Sequence, residues 1–581
     1  MSRRGFRIGL LLAVLATLVW FSVRLAATRI YQVDECQNLY MARILATGHA
    51  SEFFTTASLF LMGPLSWISR GAGQSAEAFT AARLLFLGIF WLNLFLLASI
   101  ASERVCSMRG LAALVAAATL APLWDYGFEV RHDNLILTSI LLIWWTIRVK
   151  PMGALSYILA GGVAVAALFV AVKAVVYVIP ISIAILVFPP PVHRRSRWQL
   201  GLAWLAGAVL ATVIIRLCYG AGGKWDLYLS VFRGVTKYSG GGGGANARFW
   251  PWATLSRLLG QTPLLLAMTA AACFAVAGEF WHRGKAALSW DGILPEVLLL
   301  ILALGGLMAN PTPFPYNVLH VVPYAFLLAF RYGAVIWEQV QDNPRVWPFA
   351  ASVIIFAQLV PFGYAVQRHL NYSNSRQRIV MSLAEDLTEV AKDPVYDGIG
   401  LVLTRRAIHF QWYLHSLNIQ SFVKGPGPRV RDMLAARPAA VFIPSYRTDW
   451  LPEEDHDFIR ERYVAVTDDF WVLGKLLPAG GGTFQIYHPG RYRISSLQGS
   501  DLAGECQRDS GRLLSPSDEA SFTATLDGVP VSSRPVELTV GKHRIECKPD
   551  CQPAVVWVGP KRDRIGRLSQ SDHRLLFVNW Y

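Results

Sequence analysis

The stretch "YQVDECQNLYMARILATG" (Tyr31–Gly48) follows directly on the apolar run "IGLLLAVLATLVWFSVRLAA" (residues 8–27), which is long enough to cross a bilayer. Two adjacent carboxylates, Asp34 and Glu35, therefore stand where the chain leaves lipid. A charge at membrane depth costs at least about 2.5 kcal/mol even on lenient insertion scales, so such residues normally face a cavity, a partner or a substrate.

The rest of the composition agrees with a membrane setting. Of 581 residues 54% are hydrophobic and only 16% charged, outside the range of soluble globular chains. Further apolar runs include "LLFLGIFWLNLFLLASIA", "LAALVAAATLAPLW", "LILTSILLIWWTI", "GALSYILAGGVAVAALFVAV" and "AVVYVIPISIAILVF". Later ones are "LGLAWLAGAVLATVIIRLC", "LLLAMTAAACFAVAG", "ILPEVLLLILALGGLMA", "VLHVVPYAFLLAF" and "WPFAASVIIFAQLVPFGYAV". Together they predict a polytopic α-helical membrane protein with about 11 transmembrane helices.

Lysine and arginine in short loops set the orientation. With "MSRRGFR" inside, "SERVCSMRG", "IRVKP", "VHRRSRW", "WHRGKA" and the turn near Arg331 and Arg345 all fall on the cytoplasmic side. An odd number of spans then exports everything after about Val366. The expected location is a bacterial inner membrane, with the N-terminus cytoplasmic and the C-terminal part periplasmic. The net charge of +15 is read as orientation signal and contact with anionic membrane lipids. No basic stripe with stacking aromatics points to nucleic acid. "LAAT" near Ala26 also fits a signal-peptide cleavage site, but the remaining spans keep the protein in the membrane on either reading.

The membrane domain is expected over residues 1–366. Composition then shifts: "IGLVLTRRAIHFQWYLHSL", "AAVFIPSYR" and "EEDHDFIRERYVAV" mix short β runs with helical patterns, predicting a small extracytoplasmic α/β domain over 375–477. "PAGGG" (478–482) reads as a hinge. The alternating runs "FQIYHPGRYRIS", "SFTATLDGVPV", "VELTVGKHRIEC" and "AVVWVG" predict a β-sandwich over 483–581. Without a spanning segment, the exported tail is expected to be separable. Of the cysteines only Cys506, Cys547 and Cys551 lie in it, where disulfides form, and a bridge from Cys506 to Cys547 or Cys551 is expected. The "CKPDC" spacing lacks the second Cys or His pair that a metal site needs.

Two external loops stand out. Arg29 to about Thr80 is amphipathic at helical spacing, as suits interfacial helices. The loop from Gly220 to Trp252 contains five consecutive glycines, Gly240 to Gly244, and reads either as a flexible linker or as a lid over a membrane-face cavity. Sorting ionisable residues by side places Asp34, Glu35, Arg83, Asp125, Glu129, Arg131, Asp133 and Lys173 at one face, together with "NPTPFPYNVLH" (310–320).

In order and spacing, "VDECQNLYMARILATG", "GPLSWI", "AEAFTAARLL", "EVRHDNLILTSILLIWW", "LFVAVKAVVYVIP" and "FPYNVLHVVPYAFLLA" resemble the lipid-phosphosugar-dependent glycosyltransferases of the protein mannosyltransferase and aminoarabinose transferase superfamily (glycosyltransferase family 39-like). The resemblance spans most of the first 330 residues and implies a GT-C fold. It also implies a polyprenyl-phosphate-linked sugar donor, a lipid, glycan or protein acceptor, and an acidic residue of the first external loop as catalytic base. That role carries over to Asp34, with Glu35 beside it, while Arg131 and Lys173 match positions that meet the donor phosphate. Within the matched motifs Arg43, Arg83, Asp133, Tyr316 and His320 are expected to contact substrate. One element departs: where aminoarabinose transferases carry a Lys-Pro-Pro-Leu-like sequence, this chain has Met62, Gly63, Pro64 and Leu65, which removes a lysine from the first loop.

Such residue types suit the chemistry. Transfer of a sugar from a lipid phosphate needs a carboxylate to deprotonate an acceptor hydroxyl and cations to stabilise the departing phosphate. Paired carboxylates also hold divalent ions, so Glu35 with Asp133 is a candidate metal site. The competing functions are a lipid or solute transporter, whose charges would line a path, and a glycan-binding membrane receptor. Transporters commonly show internal repeats or broken helices at the bilayer centre, which this sequence lacks, and a receptor leaves the Asp34 loop without a task.

Overall fold

The computed structural model describes residues 3–48, 59–102, 104–149, 151–187, 196–221, 225–226, 229, 233, 250–283, 294–309, 314–340, 343, 345–409, 413–414, 429–497, 523–531, 534–548, 551–560 and 576–577. The Gly240 to Gly244 run and Cys506 lie outside them.

The helices run in the order α1 (Arg3–Thr28), α2 (Val33–Ala46), α3 (Leu59–Gly71), α4 (Ser75–Ser102), α5 (Met108–Ala118), α6 (Ala121–Tyr126), α7 (His132–Arg148), α8 (Ala154–Val170) and α9 (Val175–Val187). They continue as α10 (Arg197–Ala221), α11 (Trp250–Gln261), α12 (Pro263–Arg283), α13 (Leu294–Ala309), α14 (Val322–Val340) and α15 (Trp347–Asn371). Among the described residues α1, α4, α10, α12 and α15 are long and apolar enough to cross a membrane. Shorter apolar helices, α5, α8, α9, α13 and α14, stand beside them. The chain is a multi-pass membrane protein. The run expected as the third span is divided: α5 stops at Thr119, and α6 starts with a proline, Pro122, in its first turn. Proline fits the first turn of a helix but breaks an interior.

α8 and α10 touch backbone to backbone. A β-carbon on Gly161 would stand 1.9 Å from the Trp204 carbonyl oxygen, and one on Gly207 would stand 1.9 Å from that of Ile158. Such reciprocal small-residue contacts are how helices associate in lipid, where burying apolar surface gives little. Trp124, Trp144, Tyr157 and Tyr177 fill the core of the bundle. Far along α7 from its start, Arg148 pairs with Glu296, which also accepts from Arg331 at 3.1 Å.

After α15 come α16 (Ser375–Leu387), α17 (Val430–Ala436) and α18 (Glu453–Arg462), with eleven strands among the described residues: β1 (Val395–Tyr396), β2 (Val441–Phe442), β3 (Tyr463–Thr467), β4 (Phe470–Leu476), β5 (Gly481–Ile486), β6 (Gly490–Leu497), β7 (Ala524–Leu526), β8 (Val529–Pro530), β9 (Val536–Leu538), β10 (Gly541–Cys547) and β11 (Gln552–Trp557). One sheet runs β1-β2-β4-β11-β6-β9, with β3 also on β4; the other runs β5-β10-β7-β8. β1 and β2 are parallel, and the other pairs are antiparallel. Because β4 pairs with β11, one sheet crosses residues 478–482 and joins strands from both sides of the expected hinge. β7 and β8 meet through Asp527 and Gly528, both at positive φ (51° and 82°), the backbone of a tight two-residue hairpin.

Two sequence expectations need correction. The tail is not packed on itself alone: Cys36, Leu39, Met41 and Phe79 of α2 and α4 share one buried core with Val380, Tyr396, Leu414 and Val441. Helix α2 therefore lies inside a protein core. Tyr40 Oη donates to the Arg405 carbonyl at 3.1 Å, and the Tyr31 amide to Gln377 Oε1 at 2.7 Å. The disulfide joins Cys547 to Cys551, not to Cys506. The turn from β10 to β11 sets their Cα atoms 6.0 Å apart, within bridging range.

Candidate functional site

Helix α2 begins where Gln32 and Glu35 cap each other, the Gln32 amide donating to Glu35 Oε2 at 2.9 Å. Successive helical residues point about 100° apart, so Asp34 and Glu35 enter different surroundings. Glu35 is fully buried. Arg83 grips both its oxygens, Nε to Oε1 at 3.0 Å and Nη2 to Oε2 at 2.6 Å, while the Val130 amide donates to Oε1 at 3.1 Å. Burial alone would raise this carboxyl, but Arg83 and the Gln32 amide hold it below its ordinary value. Asp34 instead keeps 32% of its side chain exposed.

Arg131, the cap residue of α7, reaches Asp34 Oδ2 with Nη1 at 2.5 Å and Asp133 Oδ2 with Nε at 3.3 Å. A short 3-10 turn between α8 and α9 (Val172–Ala174) presents Lys173, whose Nζ lies 2.5 Å from Asp133 Oδ1 and 3.5 Å from Asn317 Oδ1. A second 3-10 turn, Pro315–His320, contributes Tyr316 and His320. The Arg131 guanidinium lies 3.6 Å from the Tyr316 ring centroid and Lys173 Nζ 4.7 Å from it, so one electron-rich ring face serves two cations. His320 Nε2 lies 3.3 Å from the Asp133 carbonyl oxygen. His132 completes the group, 3.7 Å from Asp133. Buried Asp133 thus holds the two cations together, and partly exposed Asp34 lies at the cluster's edge.

The structure brings together Asp34, Arg131, Asp133, Lys173, Tyr316 and His320. Three other candidates lie elsewhere, Glu35 among them in its buried pairing with Arg83. Arg83 is 1% exposed and committed to Glu35 and to the Arg29 and Ile30 carbonyls. Arg43 binds the Ser69 carbonyl of α3; nine residues beyond Asp34 on a 3.6-residue helix is half a turn out of phase. A divalent ion does not fit Glu35 and Asp133, because cations and amides already occupy the first carboxylate and two cations the second. Among the described residues no group of three His, Cys, Asp or Glu side chains could hold a metal ion. The remaining carboxylates are also tied: Glu129 to Arg29, and Asp125 to Arg368 and to His369 Nε2 at 2.8 Å.

Sequence reading missed a set of tail residues near Asp34. Tyr413, Tyr446 and Arg447 lie within electrostatic range of Asp34. Arg447 donates through Nε to Tyr446 Oη at 3.2 Å and through Nη1 to the Leu414 carbonyl at 3.3 Å, and lies 4.5 Å from the Trp450 ring centroid. They belong to irregular segments with no motif of their own. "SYRTDW" is the sole local signal, an arginine between two aromatics.

No family model matches the chain, and no curated protein matches it by sequence. Solved structures do. ArnT from Cupriavidus metallidurans in the apo state aligns over 81% of this chain and 98% of its own, with a TM-score of 0.50 and 12% identity. The Archaeoglobus fulgidus oligosaccharyltransferase tethered to an acceptor peptide with an NVT sequon aligns over 82% of this chain and 73% of its own, at a TM-score of 0.47 and 12% identity. The same enzyme, AglB, with an inhibitory peptide and a dolichol-phosphate gives 0.43 and 13% over 85% and 74%. At such identities the likeness speaks for architecture, and the ArnT alignment extends it over almost the whole of that chain: this protein is a polytopic membrane protein with the GT-C fold.

Proposed function

We propose that the protein transfers a sugar from a polyprenyl-phosphate carrier to a hydroxyl of a lipid, glycan or protein acceptor at the periplasmic face of a bacterial inner membrane. The observation that carries this reading is the division among carboxylates. All are matched by cations, but Glu35, Glu129 and Asp133 are at most 2% exposed, whereas Asp34, paired with Arg131, keeps 32% of its side chain exposed. Asp34 is the general base, taking the proton of the acceptor hydroxyl. The acceptor oxygen then bonds to the anomeric carbon as the carbon–phosphate-oxygen bond breaks. The bonding pair leaves with the polyprenyl phosphate, and one displacement inverts the anomeric centre. Arg131 and Lys173 stabilise the negative charge that gathers on that phosphate.

Arg131 also holds Asp34 at 2.5 Å until an anion competes for the guanidinium. The donor phosphate is that anion, so donor binding precedes and arms the base. The 375–477 and 483–581 regions then act as an extracytoplasmic roof that receives the acceptor, with Tyr413, Tyr446 and Arg447 over the membrane-face cluster.

The deciding experiment measures transfer by purified Asp34→Asn protein from a synthetic polyprenyl-phosphate sugar to a hydroxyl acceptor. The amide keeps the shape and loses the basic lone pair, so turnover should vanish while donor binding persists. Turnover at the native rate would remove Asp34 from the role of base.

A further inference from the structure

Where the two sheets of the tail meet the end of α18 there is a cavity of about 320 Å³, within the size range of small-ligand sites. α18 supplies Arg462, β4 supplies Lys475, β5 supplies Gln485 and the residue after it, Tyr487, and β10 supplies Lys542. Gln485 and Lys542 are cross-strand partners in the β5–β10 ladder, so their positions are fixed by the sheet.

The walls are unbalanced in charge: three cations, Arg462, Lys475 and Lys542, face one carboxylate, Glu461. Arg462 is held between two rings, 3.9 Å from the Phe458 centroid and 3.7 Å from that of Tyr487. Its Nε is buried and has no hydrogen-bond partner. A buried donor left unpaired is unfavourable, and the two rings hold the guanidinium before any ligand arrives. A preset, incompletely satisfied guanidinium with two lysines in one cavity is the chemistry that captures a carboxylate or phosphate. Thr483 and Gln485 add neutral polar groups to the same walls, which suits hydroxyls flanking the anion.

We propose that this cavity binds an anionic saccharide, a sugar bearing a carboxylate or phosphate, at a site separate from the Asp34 cluster. It shares no residue with that cluster, so this assignment does not depend on the transfer reaction.

The test is calorimetric titration of the full-length protein in phosphatidylcholine nanodiscs with three probes: a trigalacturonate, glucose 1-phosphate and neutral maltotriose. At least one anion should bind, at least about tenfold more tightly than maltotriose, and weaken as salt rises. Arg462→Gln should lower that affinity about tenfold. Lys542→Gln, at an exposed strand position whose loss leaves the sheet intact, should lower it severalfold; Arg131→Gln should leave it unchanged. Binding of the carboxylate alone or of the phosphate alone supports the site and identifies its anion. The assignment is overturned if maltotriose binds as well as the anions, if no probe binds, if Arg462→Gln and Lys542→Gln both titrate like the native protein, or if only Arg131→Gln loses binding.

Discussion

Arg131 and Asp34 meet at 2.5 Å, although one caps α7 and the other lies in the first turn of α2, nearly a hundred residues earlier. The arginine is 2% exposed and also packs over Tyr316. The pair therefore joins the rigid base of the site to its accessible edge. On the proposed reading, replacing Arg131 with Gln removes a charge-assisted contact to the donor phosphate, worth about 1.5–3 kcal/mol. The expected result is a donor KM raised roughly 10- to 150-fold, read from initial rates at saturating acceptor. An unchanged donor KM would move the phosphate elsewhere.

Glu35 and Asp34 should separate cleanly in mutagenesis. Removing one partner of a buried ion pair leaves the other charge uncompensated, at about 3–5 kcal/mol. Glu35→Gln strands the Arg83 guanidinium and should markedly lower Tm in detergent, while Asp34→Asn should leave Tm close to native. The double variant Glu35→Gln, Arg83→Met should recover part of the loss, since it removes both buried charges. Equal thermal stability of all these proteins would contradict the division drawn here.

The contrast shows what sequence can and cannot carry. Asp34, Arg131, Asp133, Lys173, Tyr316 and His320 were legible as one group because each stands next to an apolar run, and the cost of charge in lipid restricts where it can lie. The separate surroundings of Asp34 and Glu35 depend on which side of α2 meets Arg83, a tertiary fact. Arg43 misled for the same reason: it shares a motif with Asp34 but not a helix face. Pairing between β4 and β11 joins segments more than 70 residues apart, and nothing local in either strand encodes its partner. The core shared by α2 and the tail was hidden similarly, since buried apolar residues read alike whether they face lipid or protein.

That shared core predicts the behaviour of the tail on its own. Cut before Ser375, the fragment loses Cys36, Leu39, Met41 and Phe79 from a cluster that also contains Val380 and Tyr396, together with the Tyr40 to Arg405 and Tyr31 to Gln377 hydrogen bonds. Large uncovered apolar patches promote association. Fragment 375–581 should bind hydrophobic dye and self-associate in size-exclusion chromatography. A monodisperse fragment with cooperative unfolding would show that the tail completes its core unaided.

Arg447 provides the sharpest test of the tail as part of the site. It is 8% exposed, held by Tyr446 and the Leu414 carbonyl beside Trp450, and carries its charge within range of Asp34. On the proposed reading, a cation from the tail within range of Asp34 serves the acceptor rather than the lipid-linked donor. Arg447→Met keeps bulk and ring packing but loses charge and donors. It should lower kcat/KM for the acceptor about tenfold, the equivalent of one hydrogen bond to a charged group, with donor KM and Tm near native. Arg447→Lys, which restores the charge without the planar fork, should recover part of that loss. A rise in donor KM instead, or a fall in Tm that accounts for the lost activity, would reassign Arg447 to donor binding or to docking of the tail.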